Sequence, residues 1–219
     1  MVLLPVVYLS LMQFILQKTA LCSCVFPAIL DPTHGFSSVP LNNSNFLLQK
    51  PYNIPAHERY SFVDGVHRFS VYNTDKPHTP GGTTRPRTEF RITGYDYTSG
   101  VWQFEGYGYV PNGTTGVAIM QVFGGKTLST TLQFRVYNGS LTYYTSPVLE
   151  ENIYDRWFRA NVIHDVGAAT VMAYIDGVLK YQGPDHGNDT HYFKIGVYTQ
   201  HNESHYMESR WKDIKILRK

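Results

Sequence analysis

The chain has 219 residues and a formal net charge of +2, with 16% charged and 15% aromatic residues. This slight charge, without a basic run interleaved with aromatics, argues against a nucleic-acid-binding protein. Two cysteines are too few for a small disulfide-stapled scaffold, and the roughly 190 residues after the N-terminal segment can bury one sizeable core without covalent help.

The N-terminal segment is apolar. Residues 1–16 are mostly aliphatic or aromatic, Gln17 and Lys18 interrupt them, and a second apolar patch runs to about Leu30. This pattern predicts a secretory signal peptide over residues 1–28, although no basic residue precedes it. A membrane anchor is the alternative, but it needs about 20 uninterrupted apolar residues. Because Cys22 and Cys24 lie inside the segment, the mature chain is expected to have no disulfide and no membrane attachment.

Five Asn-X-Ser/Thr sequons lie downstream, and their density supports passage through the secretory pathway with N-glycosylation. They are at Asn42, Asn112, Asn138, Asn188 and Asn202.

Short runs of alternating apolar and polar residues follow one another along the rest of the chain. They cover residues 68–72, 88–92, 101–109, 117–123, 131–137, 157–164, 171–175, 193–198 and 209–216. Asn138-Gly139 and Asp176-Gly177 each predict a two-residue hairpin. Many short strands without intervening helices predict an all-β antiparallel β-sandwich jelly roll, as one domain over residues 31–219. One short helix is expected at about residues 150–154.

Two of these runs have a polar and partly cationic face. Successive side chains of a strand point to opposite sides, so each run divides into a polar and an apolar set. The polar sets are Arg87, Glu89 and Arg91 in one run, and Tyr192, Lys194, Tyr198 and Gln200 in the other. Together they predict a groove for a ligand that carries carboxylates. The alternative for the first set is a ladder of ion pairs, worth little if exposed.

Residues 87–91, 121–123 and 192–200 resemble the three strand motifs of alginate-lyase-type jelly rolls, namely polysaccharide lyase family 7 and the related glucuronan lyases of family 20. Residues 94–106, 152–158 and 208–214 resemble plant citrate-binding proteins, which are secreted or vacuole-directed relatives of those lyases. The likeness extends from residue 31 to residue 216. It implies a monomer with a concave ligand groove, without metal or other cofactor, in the apoplast, cell wall or vacuole.

A polyuronate lyase needs donors for the sugar carboxylate, a base for the neighbouring proton and an acid for the leaving oxygen. The resemblance implies that Gln121 holds the carboxylate together with Arg87 or Arg91. It also implies that Tyr198 is the acid and, in a syn elimination, the base as well.

The middle motif departs from the lyase pattern. Family 7 usually ends this motif with a histidine, whereas this chain has Phe123, which neither accepts a proton nor donates a hydrogen bond. His67 and His78 are the candidates for a replacement from elsewhere in the chain, since glucuronan lyases draw their histidine from an earlier strand.

Binding without catalysis needs no base. Citrate is a compact tricarboxylate, and Arg87, Arg91 and Lys194 offer charge-assisted donors to such an anion. The first hypothesis is therefore a protein that binds citrate or a related polycarboxylate or uronate. The second is a lyase that cleaves glucuronan or another polyuronate by β-elimination, and the third is an inactive cell-wall carbohydrate-binding module.

Two other groups of residues are interpreted structurally. Trp102, Trp157 and Trp211 are expected to anchor the core more readily than to stack on sugars. The nine histidines show no convincing metal-ligand spacing, so no metal site is predicted.

Overall fold

Fifteen strands and two short 3₁₀ helices account for the regular structure of residues 30–219, the part of the chain that the computed structural model describes. Residues Asp31–Lys219 form one unit. The predicted signal peptide lies outside the described residues. Within them, no helix is long and apolar enough to cross a membrane.

In chain order the strands are β1 (Ser37–Ser38), β2 (Phe46–Gln49), β3 (Tyr60–Val63), β4 (Val66–Tyr72), β5 (Arg87–Ile92), β6 (Val101–Tyr109), β7 (Val117–Phe123), β8 (Thr130–Tyr137), β9 (Ser140–Tyr143), β10 (Val148–Glu150), β11 (Trp157–Asp165), β12 (Thr170–Ile175), β13 (Val178–Pro184), β14 (Tyr192–Thr199) and β15 (Tyr206–Arg218). The 3₁₀ helices are Asn43–Asn45 and Ala56–Glu58.

The strands form two antiparallel sheets, which confirms the predicted β-sandwich jelly roll. The eight-stranded sheet has the order β13-β12-β11-β6-β15-β4-β3, with β1 paired to β15. The seven-stranded sheet has the order β10-β9-β8-β7-β14-β5-β2. Strands β5, β7 and β14 are distant in sequence but adjacent in this second sheet, so the three motif runs come together.

Each of the nine alternating runs falls within or on a strand. Both hairpins are also confirmed, because Asn138 and Gly139 have φ of +49° and +86°, and Asp176 and Gly177 have φ of +52° and +81°. These values suit the type I′ turn that matches the twist of the flanking strands. The helix expected at residues 150–154 was wrong, since β10 ends at Glu150 and Tyr154 instead forms an isolated bridge with Val110.

The core lies between the two sheets and is lined by the apolar face of each strand. Phe69, Phe104, Phe134 and Trp211 are fully buried within it. Trp157 departs from its expected role as a core anchor. Its neighbour in β11, Phe158, is the residue that packs against Trp211, and side chains alternate along a strand, so Trp157 faces outward.

Candidate functional site

The outward side of the seven-stranded sheet carries a continuous set of polar side chains, here called the polar face. Its register is set by β14, which pairs with β5 on one side and with β7 on the other. Lys194 lies opposite both Arg91 and Gln121, Tyr198 lies opposite Arg87, and Glu89 lies opposite Gly196. The members of the polar face are Arg87, Glu89, Arg91, Gln121, Gln133, Arg135, Tyr192, Lys194 and Tyr198.

Glu89 is the hydrogen-bonding centre of the polar face. Its carboxylate accepts from Arg87 Nη1 at 2.9 Å, from Gln121 Nε2 at 2.6 Å and from Lys194 Nζ at 2.5 Å. Glu89 and Lys194 are each only 2% exposed. The ion pairs considered as the alternative explanation for the charged residues of β5 are therefore present. They form a buried cluster and not an exposed ladder on the surface. Two cations, Arg87 and Lys194, thus share one internal carboxylate.

Gly196 allows β5 to approach β14 at this point. Its φ is +140°, and a Cβ built there would lie 2.4 Å from the Cα and 2.7 Å from the Cβ of Glu89. A larger residue would therefore need both an unfavourable backbone conformation and a displaced Glu89. Because Gly196 has no side chain, Glu89 can occupy the space beside β14.

The two arginines of β5 each lie over a tyrosine ring of β14. The guanidinium carbon of Arg87 is 3.8 Å from the ring centroid of Tyr198, and that of Arg91 is 4.0 Å from the centroid of Tyr192. Such cation–π contacts hold the guanidinium planes in place. Arg91 also bonds to the carboxylate of Asp96. Within residues 30–219 the Nε–H groups of Arg87 and Arg91 are buried and lack a hydrogen-bond partner. The side chains themselves remain 13% and 30% exposed, so part of each guanidinium still faces outward.

The network continues across β7 and β8 through residues that the sequence reasoning missed. Gln133 Nε2 donates to Gln121 Oε1 at 3.0 Å, and Arg135 Nε donates to Gln133 Oε1 at 2.7 Å. Arg135 also lies over the ring of Tyr144, 5.1 Å from its centroid. The alternation of polar and apolar residues in 131–136 was the signal that could have placed Gln133 and Arg135 on this face.

Phe123 and Tyr192 close one end of the polar face as a stacked pair. Their ring centroids are 4.7 Å apart with an interplanar angle of 16°. Burial raises the pKa of Tyr192, so its phenol stays protonated near neutral pH. Burial lowers the pKa of Lys194, while Glu89 opposes that shift by stabilising the ammonium form. The apolar ring of Phe123 thus occupies the position at which the lyase pattern has a titratable histidine.

Three of the residues proposed for the site make their hydrogen bonds or ring contacts outside the Glu89 network. His67 belongs to the other sheet and faces the sandwich interior, where its ring lies 5.4 Å from Phe90, a core residue on the apolar face of β5. His78 lies before β5, and its Nδ1 is 3.2 Å from the carbonyl of Lys50, just beyond the edge strand β2. Gln200 follows the end of β14 and donates to the backbone carbonyls of Tyr198 and Thr199.

The remaining sequence features are placed as follows. All five sequon asparagines are exposed. Within residues 30–219, no three His, Cys, Asp or Glu side chains are grouped so as to hold a metal ion.

Comparison with known proteins gives one curated relative and many similar folds. The family model described as alginate lyase (alginate lyase 2) matches residues 39–218. A protein named citrate-binding protein from Hevea brasiliensis is 52% identical over 189 residues, which cover 86% of this chain and 79% of the relative.

Solved alginate lyases have the same fold. Alginate lyase AlgAT5 of polysaccharide lyase family 7 superposes with a TM-score of 0.62 at 19% identity, covering 78% of this chain and 93% of that one. Alginate lyase PA1167 from Pseudomonas aeruginosa gives 0.61 at 12% identity, covering 82% and 100%. At such low identity, these structures bear on the fold alone.

Proposed function

The chain belongs to the alginate lyase 2 family, and from that premise we propose that it binds citrate or a related polycarboxylate or uronate on the polar face. The observation that carries the proposal is the state of Arg87. Glu89 and the ring of Tyr198 hold its guanidinium in one orientation, while part of the side chain, 13% exposed, still faces outward. A preorganised guanidinium with an accessible edge suits a carboxylate, because charge-assisted bonds of this kind are short and strong. The name of the Hevea relative agrees with this ligand class.

Binding is favoured over elimination because of the histidines. The ring of His67 lies on the core side of β5, and the ring of His78 is engaged at the β2 edge. Phe123 occupies the corresponding place in the middle motif. A carboxylate ligand can be held without a base, whereas proton abstraction needs one, and Tyr198 would then have to serve as both base and acid.

Calorimetry with citrate on the purified secreted protein tests the proposal. We expect a dissociation constant of 1 mM or tighter, which corresponds to about −4 kcal/mol or better. Arg87→Ala should weaken it about tenfold, and Arg218→Ala, which removes an exposed arginine of the other sheet, should leave it unchanged. Equal affinity of both variants and wild type would remove Arg87 from the site.

Lyase activity is the second candidate, and one observation favours it. Arg87, Gln121 and Tyr198 share the polar face, so the carboxylate donors and the phenol that the family pattern requires are on one surface. Glucuronan, alginate and polygalacturonate should be incubated with the protein while absorbance from unsaturated uronates is followed. Activity that disappears in Tyr198→Phe would establish the lyase and displace simple binding. No absorbance change on any of the three would leave binding as the function.

We also propose that the protein follows the secretory pathway to the apoplast, cell wall or vacuole. The exposure of every sequon supports this route. Fractionation of the producing tissue and immunodetection of the protein in wall extracts and isolated vacuoles would test it.

A further inference from the structure

The outward side of the eight-stranded sheet carries a row of aromatic and cationic side chains, on the far side of the core from the polar face. Trp157 of β11 lies opposite Tyr109 of β6, Tyr109 lies opposite Arg210 of β15, and Arg210 lies opposite Arg68 of β4. With about 4.8 Å between strands, the row spans about 14 Å. It shares no residue with the polar face.

The aromatic half of the row is made of two neighbouring rings with cations beside them. The centroids of Tyr109 and Trp157 are 5.4 Å apart. Lys212 Nζ lies 4.5 Å from the Trp157 centroid, and the guanidinium carbon of Arg210 lies 5.0 Å from that of Tyr109. Trp157 and Tyr109 are half-buried, so each still presents some ring surface to solvent.

The cationic half is held in place by a buried carboxylate. Glu208 is 2% exposed and lies 2.7 Å from both Arg68 Nη2 and Arg210 Nε. Tyr206 donates to the same carboxylate. Because one glutamate fixes both guanidinium groups, the arginines keep their positions without a ligand. The fold therefore sets the positions of these two positive charges, which would not hold for flexible lysines on the surface.

A groove of about 320 Å³ crosses this face. It is lined by Ser61, Val63, Asp64, Val66, Arg68, Trp157 and Arg210. Arg68, Arg210 and Lys212 contribute three positive charges, against three negative charges from Glu208, Asp64 and Asp155, whose carboxylate accepts from the Tyr109 hydroxyl. Glu208 is buried, whereas Asp64 and Asp155 lie in the turns before β4 and β11. The surface is therefore elongated and partly aromatic, and its positive charges lie along the row.

We propose that this outer row binds a chain of an acidic polysaccharide. Sugar rings would pack on Trp157 and Tyr109, where aromatic faces offer flat apolar surface with a polar edge. Sugar carboxylates would lie against Arg210, Arg68 and Lys212. A row about 14 Å long suits several linked sugars and is too long for one small anion to span. The protein would then hold the polymer on one sheet while the polar face of the other remains open.

The test uses polygalacturonate as the probe and affinity electrophoresis of the full secreted protein as the measurement. Arg87→Ala serves as the background, so that the polar face contributes little to retention. In that background, Trp157→Ala and Lys212→Ala should each weaken retention about tenfold, while Lys76→Ala, an exposed lysine in another loop, should not. Because Trp157→Ala could impair folding, circular dichroism should confirm that this variant is folded. If it is not, Lys212→Ala still tests the proposal by itself.

Fluorescence gives an independent readout. Polygalacturonate should shift the tryptophan emission of the Arg87→Ala protein, and the shift should vanish in Trp157→Phe and survive in Trp102→Phe. The proposal is overturned if Arg87→Ala abolishes all retention, if Trp157→Ala and Lys212→Ala bind as their background does, or if a neutral β-glucan is retained equally well. The first of these outcomes would assign polymer binding to the polar face alone, so failure here is distinguishable from failure of the proposed function.

Discussion

Replacing Glu89 should destabilise the protein, because Glu89 compensates a buried charge. Lys194 is 2% exposed and its ammonium donates to Glu89 Oε1. In Glu89→Ala that ammonium would remain in the sheet without its anion. Gln121 and Arg87 would also lose an acceptor. Removing one partner of a buried ion pair typically costs about 3–5 kcal/mol.

For a domain of this size, 1 kcal/mol shifts the melting temperature by about 2–4 °C, so Glu89→Ala should lower it by roughly 6–20 °C. The double variant Glu89→Met with Lys194→Met removes both charges together. It should recover much of the loss, since replacing a buried pair by apolar residues is often neutral or better. Glu89→Gln should bind citrate more tightly than wild type if it folds, because one competing negative charge has been removed from the polar face.

Thermal unfolding followed by circular dichroism measures the stability effect, and calorimetry measures the affinity. The matched control is Glu151→Ala, which removes an exposed glutamate from the loop after β10. The reasoning is refuted if Glu89→Ala melts within 2 °C of wild type. It is also refuted if the double variant is no more stable than Glu89→Ala, since Lys194 would then not be the group that Glu89 compensates.

Acid should weaken the fold through the buried histidines. Burial lowers the pKa of His67 and of His164 to about 4, against about 6.5 in the unfolded chain, so their contribution is intact above pH 6.5 and is lost as the pH falls toward 4. The shift is worth up to roughly 3 kcal/mol for the fully buried His164 and less for His67, which solvent partly screens. Urea unfolding at pH 7 and pH 4.5 should show a smaller loss in His67→Phe than in wild type, and an equal loss would contradict this. Gly196→Ala should cost several kcal/mol in urea unfolding because of its backbone contacts. Gly113→Ala, with φ of +87° and open space, should cost about 1–2 kcal/mol, and similar costs for the two would count against the close-approach argument. When the protein is expressed through a eukaryotic secretory pathway, treatment with an N-glycosidase should lower its apparent mass on a gel, and an unchanged mass would argue against occupied sequons.

Strand periodicity explains why the polar face could be anticipated in part. Alternation assigns Arg87, Glu89 and Arg91 to one side of β5, and the same period assigns Tyr192 and Lys194 to one side of β14. Periodicity holds within each strand whatever its neighbours are. It therefore predicts which side chains share a face but not which of them touch.

The contacts of Glu89 depend on the register between β5, β7 and β14. The sequence alone does not determine that register, so these contacts could not be predicted. Three segments separated by tens of residues must align before a carboxylate from β5 can meet Lys194 of β14 and Gln121 of β7. By contrast, the placement of His67 was predictable. It shares strand parity with Phe69 and Val71, both fully buried, so periodicity alone directs its ring into the sandwich.

The internal carboxylate also bears on what the polar face can recognise. A buried ammonium such as that of Lys194 needs a permanent anion, and Glu89 supplies it whether or not a ligand is bound. A ligand with a single carboxylate must therefore compete with Glu89 for donors that are already shared. Citrate or a uronate chain, the ligands we propose, can instead approach several donors at once, including the partly exposed guanidinium groups of Arg87 and Arg91. Under the proposed function, the arrangement that stabilises the sheet by itself therefore favours ligands with more than one carboxylate.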